Sequence, residues 1–303
     1  MANKLLVVIG GPTGVGKTDT AIQLARHYHS EIIIADSRQV YKELRIGVGR
    51  PSSKQLQAVP HHLLGYTSIH QPYSVARYVD DVLHLLQDLF EKHHIIFLTG
   101  GTGLYVRAIM EGLDSIPEIP EEITDKWTAL WKSAGTPGLT EKLESLDPEY
   151  ASVVDRANPR RLIRALAVSE YTGLPYSSFR KGVPVVRPFD ILPLVLELPR
   201  DELYDRINKR VEDMLAEGWL DEAKTLHPFK DFNALQTVGY TELFAFIEGQ
   251  ISWPECLHAI QQSTRRYAKR QLTWWRNQGA WKAFHPQAIH DLIKTIDEKL
   301  VSN

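Results

Sequence analysis

Cysteine is nearly missing from this sequence: Cys256 stands alone among 303 residues, which excludes an internal disulfide and a cysteine-rich zinc site. A chain that uses no disulfides suits a reducing compartment, so a cytoplasmic location is expected. No apolar run reaches the roughly 18 residues that a bilayer-crossing helix needs, and no membrane partner is expected. The chain opens almost at once onto an apolar strand, without the basic-then-apolar layout of a secretory signal. Neither sign of charge dominates. With 35 Lys and Arg against 37 Asp and Glu, the net charge of −2 gives no global pull toward nucleic acid, so local patches must supply any such binding. The twelve histidines show no ligand spacing with Cys256, and the adjacent pairs His61-His62 and His93-His94 are not metal signatures. Internal repeats and low-complexity tracts are absent too.

What is present is the pattern of a folded α/β protein. Leu5, Leu6, Val7, Val8 and Ile9 form a short apolar run ending in glycines, as a strand buried in a parallel sheet does. Residues 18–29 carry Ala21, Ile22, Leu24, Ala25 and Tyr28 at helical spacing. Residues 32–35 read as a second strand ended by Asp36, and 75–91 as a helix with Val79, Val82, Leu83, Leu86 and Phe90 on one face. Residues 95–98 give a third strand running into Gly100 and Gly101. This alternation predicts a doubly wound parallel sheet. From Ser115 the texture changes. Pro117 and Pro120 mark a break, helical stretches follow over 121–132, 139–146 and 159–172, and 176–188 reads as a loop. Residues 191–198 return to the sheet as a strand. After Leu203 the chain reads as helical, with a stripe of Leu203, Ile207, Val211, Met214 and Leu215 stopped by Gly218, and a last long helix over 254–277. The domains expected are a core of 1–115 plus 189–303 and a mostly helical insertion of 116–188.

Gly11-Pro12-Thr13-Gly14-Val15-Gly16-Lys17-Thr18 fits G-x-x-x-x-G-K-[ST] and lies between a strand and a helix, the context in which the motif signifies phosphate binding. Its glycines let backbone N–H groups converge on phosphate oxygens, Lys17 neutralises them, and the Thr18 hydroxyl suits Mg²⁺. The fold class is then α/β with a P-loop NTPase-like core. A di- or triphosphate with its metal is all that the loop itself specifies, so a small-molecule kinase of the nucleoside-monophosphate type is a natural reading. Asp36, at the end of the second strand, lies on the ligand side of such a sheet and can act as a general base or hold Mg²⁺ through water. A plain turn aspartate is the bland alternative. Gly100-Gly101-Thr102-Gly103 follows the third strand in the same way and is a weak signal alone. Between Cys256 and His290 there is no acidic residue, whereas Arg265, Arg266, Lys269, Arg270, Arg276 and Lys282 are interleaved with Tyr267, Trp274, Trp275 and Trp281. A second basic cluster, Arg156, Arg160, Arg161 and Arg164, falls in the insertion. Both suit phosphates and bases of an RNA, or equally a solvated face over core tryptophans.

Taken together the motifs resemble those of the tRNA dimethylallyltransferases, also called tRNA isopentenyltransferases, of bacterial type. The likeness rests on GPTGVGKT at 11–18, ADSRQVY at 35–41, PHHLL at 60–64, GGTGLYV at 100–106 and RRLIRAL at 160–166. It continues with RVEDMLAEG at 210–218, VGYTEL at 238–243 and TRRYAKRQLTWWR at 264–276, and so covers nearly the whole chain. Where the family usually reads D-I-G-T-A-K-P, this chain has Arg45-Ile46-Gly47-Val48-Gly49-Arg50-Pro51, and Val15 replaces a small polar residue; no role carries onto Arg45 or Val48. The resemblance implies transfer of a dimethylallyl group from its diphosphate to the exocyclic N6 amine of the adenosine immediately 3′ of the anticodon. By the same resemblance, Gly11 to Thr18 (Pro12, Thr13, Gly14, Val15, Gly16 and Lys17 between them) hold the diphosphate, with Mg²⁺ on Thr18. Asp36, Thr102 and Arg210 are then catalytic, and Asp36, Ser37, Arg38, Gln39, Thr102, Arg160, Arg161, Leu162, Ile163 and Arg164 meet the tRNA anticodon stem-loop. The expected enzyme acts as a monomer.

Overall fold

The computed structural model describes residues 4–180, 182, 185–279 and 281–302. They form two compact units, Met1–Met110 with Val186–Asn303, and Glu111–Val185. In chain order the first unit begins with β1 (Leu5–Gly10), α1 (Lys17–His27), β2 (Ile32–Ile34), α2 (Ser53–Ala58), β3 (His61–His62), α3 (Val75–Leu89), β4 (Ile95–Thr99) and α4 (Gly103–Glu111). The second unit holds α5 (Glu121–Leu146), α6 (Pro148–Val153) and α7 (Pro159–Thr172). The chain then returns through β5 (Asp190–Leu196), α8 (Arg200–Ala216), α9 (Trp219–Leu226), α10 (Tyr240–Ile247), α11 (Trp253–Arg276), β6 (Lys282–Phe284) and α12 (Ile289–Val301).

The strands make one parallel sheet in the order β3-β2-β4-β1-β5-β6. Side chains alternate across a strand, and the two faces are packed accordingly. Leu5, Val7, Ile9, Ile32, Ile34 and Phe97 face a core with Ala21, Leu24 and Ala25 of α1 and Leu292 and Ile296 of α12. Leu6, Val8, Ile33, Ile96 and Leu98 face Tyr78, Val82 and Leu86 of α3, Val106 and Ile109 of α4, and Trp275 of α11. Burial on both faces is why these strands read as unbroken apolar runs. A third cluster joins Val40 and Leu44 to Val211, Trp219, Tyr240, Leu243 and Ile260.

Two strands depart from the sequence reading. The chain after Leu203 is not wholly helical, because β6 pairs with β5 through Leu194–Lys282, Val195–Ala283 and Leu196–Phe284. Lys282 and Ala283 are exposed, so this edge strand lacks the apolar signature of a buried one. The pair His61-His62 is β3, another edge. In the second unit, the two helices expected over 121–132 and 139–146 run together as α5 but break at Gly135, whose φ of 66° and ψ of −167° are not helical. Trp127, Leu139, Leu143, Leu162 and Leu166 fill the core of that unit. Of the loop expected over 176–188, Tyr176–Phe179 form a 3-10 turn, while residues 181, 183 and 184 lie outside the described residues.

Candidate active site

The C-terminal ends of β2 and β4 and the loop that follows β1 open on one cavity of about 480 Å³, closed by residues 47–51, one face of α8 and part of α11. Thr13, Gly14, Gly16, Lys17 and Thr18 line it. Gly16 caps α1 with a φ of 107°, a conformation that a side chain would strain, and so aims the helix N-terminus at the cavity. Gly11 and Pro12 do not line the cavity; their carbonyls accept hydrogen bonds from Lys17 Nζ at 3.0 and 2.7 Å. Val15 is fully buried in the sheet core, where the small polar residue usual in the family would gain nothing. Burial pulls the Lys17 ammonium down to about 7 from its ordinary 10.5; the Asp36 charge opposes this shift and the Arg210 charge adds to it.

Asp36 follows β2 and divides its carboxylate between two tasks. Oδ1 accepts from the backbone N–H groups of Arg38 and Gln39 at 2.9 and 3.2 Å, whereas Oδ2 accepts no hydrogen bond among the described residues. One oxygen is therefore anchored and the other is available. Thr102 ties the loop after β4 to the loop after β2. Its N–H donates to the Ala35 carbonyl at 3.2 Å, and its Oγ1 accepts from the Ser37 N–H at 2.9 Å and donates to Ser37 Oγ at 3.3 Å. A hydroxyl oxygen has two acceptor positions, so one is left for a further N–H donor.

Opposite this loop, α8 buries Leu203, Ile207 and Val211 and turns Arg206 and Arg210, one helical turn apart, toward the cavity. Arg210 donates to the Gly49 carbonyl at 3.1 Å, and burial holds its guanidinium below the usual arginine range. Gln39 Nε2 supports the same stretch through the Val48 and Gly49 carbonyls at 3.1 and 3.4 Å. Six basic side chains, Lys17, Arg38, Arg50, Arg206, Lys209 and Arg210, line the cavity against Asp19, Asp36 and Asp213. Such an excess of positive charge in a cleft suits a polyanion. Val48 lines the cavity as well, whereas Arg45 is exposed outside it.

Sequence reasoning missed two supports. Glu222 of α9 accepts from the N–H groups of Arg45, Ile46 and Gly47 at 3.1, 2.8 and 3.0 Å, fixing the loop that carries Val48 to Pro51. Gln271 of α11 accepts from the Thr13 N–H at 2.8 Å and donates to the Gly101 carbonyl at 2.8 Å. Both contacts join residues far apart in sequence, and only the quoted motif around Gln271 marks its neighbourhood as unusual.

The second unit carries Arg160, Arg161 and Arg164 exposed on α7. Leu162 and Ile163 between them are buried in that unit's core, which corrects their expected place among RNA-facing side chains. No group of three or more His, Cys, Asp or Glu suited to a metal exists among the described residues. Mg²⁺ does not require one, since it commonly takes one or two protein oxygens and completes its shell with phosphate and water. The Thr18 hydroxyl, on the cavity wall and without a protein hydrogen bond among the described residues, fits that role.

Comparison with known proteins finds relatives over nearly the whole chain. The sequence model of the IPP transferase family matches residues 39–278. The tRNA dimethylallyltransferase 1 of Bacteroides fragilis is 39% identical over 300 residues, covering 99% of this chain and 100% of that protein. The tRNA dimethylallyltransferase of Christiangramia forsetii is 44% identical over 284 residues, 94% of each. Among solved structures, the tRNA isopentenylpyrophosphate transferase of Bacillus halodurans gives a TM-score of 0.72 at 34% identity, covering 99% of this chain and 97% of that one. A eukaryotic dimethylallyltransferase acting on tRNA gives 0.75 at 27% identity, covering 89% of this chain and 69% of that one.

Proposed function

The chain belongs to the IPP transferase family, the tRNA dimethylallyltransferases, and on that premise we propose how its own residues perform the transfer. The enzyme moves a dimethylallyl group from dimethylallyl diphosphate to tRNA; the acceptor in our reading is the N6 amine of the adenosine immediately 3′ of the anticodon. The C1–O bond of the donor breaks as an N6–C1 bond forms. One amine proton passes to Asp36, and diphosphate departs.

The observation that carries this reading is the pairing of a strongly basic cleft with one carboxylate whose second oxygen is free. Allylic cleavage develops charge on the departing diphosphate, and fixed donors stabilise such charge at no cost of reorganisation. The N–H groups of Gly14 to Thr18, with Lys17, Arg206 and Arg210, would supply them. When bound on Thr18, Mg²⁺ would neutralise further phosphate charge. Asp36, held through Oδ1, would present Oδ2 to the amine, and the spare acceptor position of Thr102 would take the amine's second N–H. An amine conjugated with adenine is a weak nucleophile, so its orientation contributes as much as its base. The base must leave the anticodon-loop stack to enter the cleft. Arg38 at the cavity and Arg160, Arg161 and Arg164 of α7 would bind RNA phosphates, acting in the cytoplasm where tRNA is handled.

Incubation with dimethylallyl diphosphate, Mg²⁺ and an anticodon stem-loop, followed by mass analysis of nucleosides, tests this. N6-(dimethylallyl)adenosine is the expected product. Phosphoryl transfer from ATP with no prenylated adenosine would establish the kinase reading in its place.

A further inference from the structure

Gln271 is 6% exposed on a helix whose neighbouring Lys269 and Arg270 are exposed, so it is buried where its flanking residues meet solvent. Ala268 and Trp275, near turns of the same helix, belong to apolar cores. An amide is an expensive choice at such a position unless both of its ends are satisfied. Here both are. Its Oε1 accepts from the N–H of Thr13 in the phosphate loop, and its Nε2 donates to the carbonyl of Gly101 after β4, each at 2.8 Å. A Cβ on Gly101 would stand 2.4 Å from that Nε2, so the approach is possible only because the residue is glycine.

The two ends of this amide belong to the two halves of the reaction. Thr13 lies in the loop that would hold the diphosphate. Gly101 precedes Thr102, whose N–H and Oγ1 bind Ala35 and Ser37 on either side of Asp36. A single side chain thus links the donor loop to the acceptor loop. We propose that Gln271 is a positioning residue that sets the spacing between the donor's reacting carbon and the adenine amine. This rests on the prenyl-transfer reading above. It distinguishes Gln271 from the rest of its basic helix, which offers charge to RNA. Trp275 packs over Gly10 and Trp274 over Gly103, where added Cβ atoms would stand 2.7 and 2.5 Å from the rings. Those contacts seat α11 on the sheet independently of Gln271, so the helix should keep its place when the amide is changed.

The test uses Gln271→Met and Gln271→Glu in the full chain. Gln271→Met keeps the length and loses both hydrogen bonds. Its single-turnover rate should fall about 10²-fold, the scale of loss from an ångström of misplacement, while pyrophosphate and stem-loop dissociation constants stay within about threefold. In a Thr102→Ala background the same change should cost clearly less, because both act through one loop. Gln271→Glu supplies a second readout. Its carboxylate can accept from Thr13 but cannot donate to Gly101, whereas its protonated form can do both. The ratio of its rate to wild type should therefore rise as pH falls, and taking the ratio removes the pH response common to both. A Gln271→Met rate within about twofold of wild type, or a Gln271→Glu ratio flat with pH, would reduce Gln271 to packing. Absence of prenylation by the wild type would overturn the functional reading and this role of Gln271 with it, whereas an unchanged Gln271→Met rate in an enzyme that prenylates would overturn the role of Gln271 alone.

Discussion

Raising the pH from about 7 to about 9 should weaken pyrophosphate binding through one side chain, Lys17. In the free protein, burial brings the Lys17 ammonium down to about 7. A bound diphosphate sets negative charge against it and restores the ammonium, so the complex holds a proton that the free protein has lost above that pH. Binding then takes up a proton, and affinity falls up to tenfold per pH unit. Between about pH 7 and about pH 9 the loss should reach about 10- to 50-fold, the range covering a pKa one unit higher. The apoprotein responds in the opposite direction. Its unfolded chain keeps the Lys17 proton up to about 10.5, the folded chain only to about 7, so between these values the unfolded state binds more protons. The contribution of Lys17 to stability therefore rises with pH across that window. Calorimetry in two buffers of different ionisation heat counts the protons directly. At about pH 8.5 the wild type should take up nearly one more proton per pyrophosphate than Lys17→Met, whose comparison subtracts the ligand's own ionisation. Equal uptake by the two proteins would refute the reasoning, because it would mean that Lys17 is charged before the ligand arrives.

Asp36→Asn should leave donor and stem-loop binding within a few fold and lower turnover by roughly 10²–10⁴, the usual worth of a positioned base; recovery in excess Mg²⁺ across single-turnover measurements would assign it to the metal instead. Replacing Arg160, Arg161 and Arg164 together by alanine should weaken tRNA binding and flatten its salt dependence by about 2 in log–log slope, and an unchanged slope would make them a structural helix face. Glu222→Ala removes three backbone hydrogen bonds from residues 45–47. It should cost about 2–3 kcal/mol in denaturant unfolding and raise the donor KM through the loop that Arg210 grips; a KM unchanged at that loss would disconnect the loop from the donor.

Legibility in the sequence followed burial. β1, β2 and β4 are covered on both faces, so their apolar runs stand out, and their glycine-rich or acidic ends marked the site's position. β3 and β6 escape because an edge strand of two or three residues owes its form to the neighbour it pairs with. The phosphate loop was visible because its geometry is local, each glycine serving the turn in which it sits. Gln271 and Glu222 were not, since each acts on backbone more than 150 residues away and leaves no periodic trace. The fate of Leu162 and Ile163 was readable in principle. With Leu166 they fall on one side of α7, which is the core side, while Arg160, Arg161 and Arg164 fall on the other.

A phosphate loop by itself is indifferent to whether the phosphates it holds are delivered or discarded. What gives it direction here is what faces it. A kinase needs a hydroxyl or phosphate acceptor aligned with the terminal phosphorus, and a base or metal arranged around that atom. In this chain the group across the cleft is a carboxylate with one oxygen fixed by the Arg38 and Gln39 N–H groups and the other unclaimed, beside a threonine with one acceptor position to spare. Those are acceptors for N–H protons, suited to an amine that must be turned and deprotonated. The cations of α8 lie on the loop's side of the bargain, where leaving charge would gather. Gln271 spans the two, bonded to both loops by a side chain too short to yield much. The proposed reaction thus pairs a loop that can hold diphosphate with a carboxylate and a neighbouring threonine that can accept N–H protons, at a spacing held by one amide.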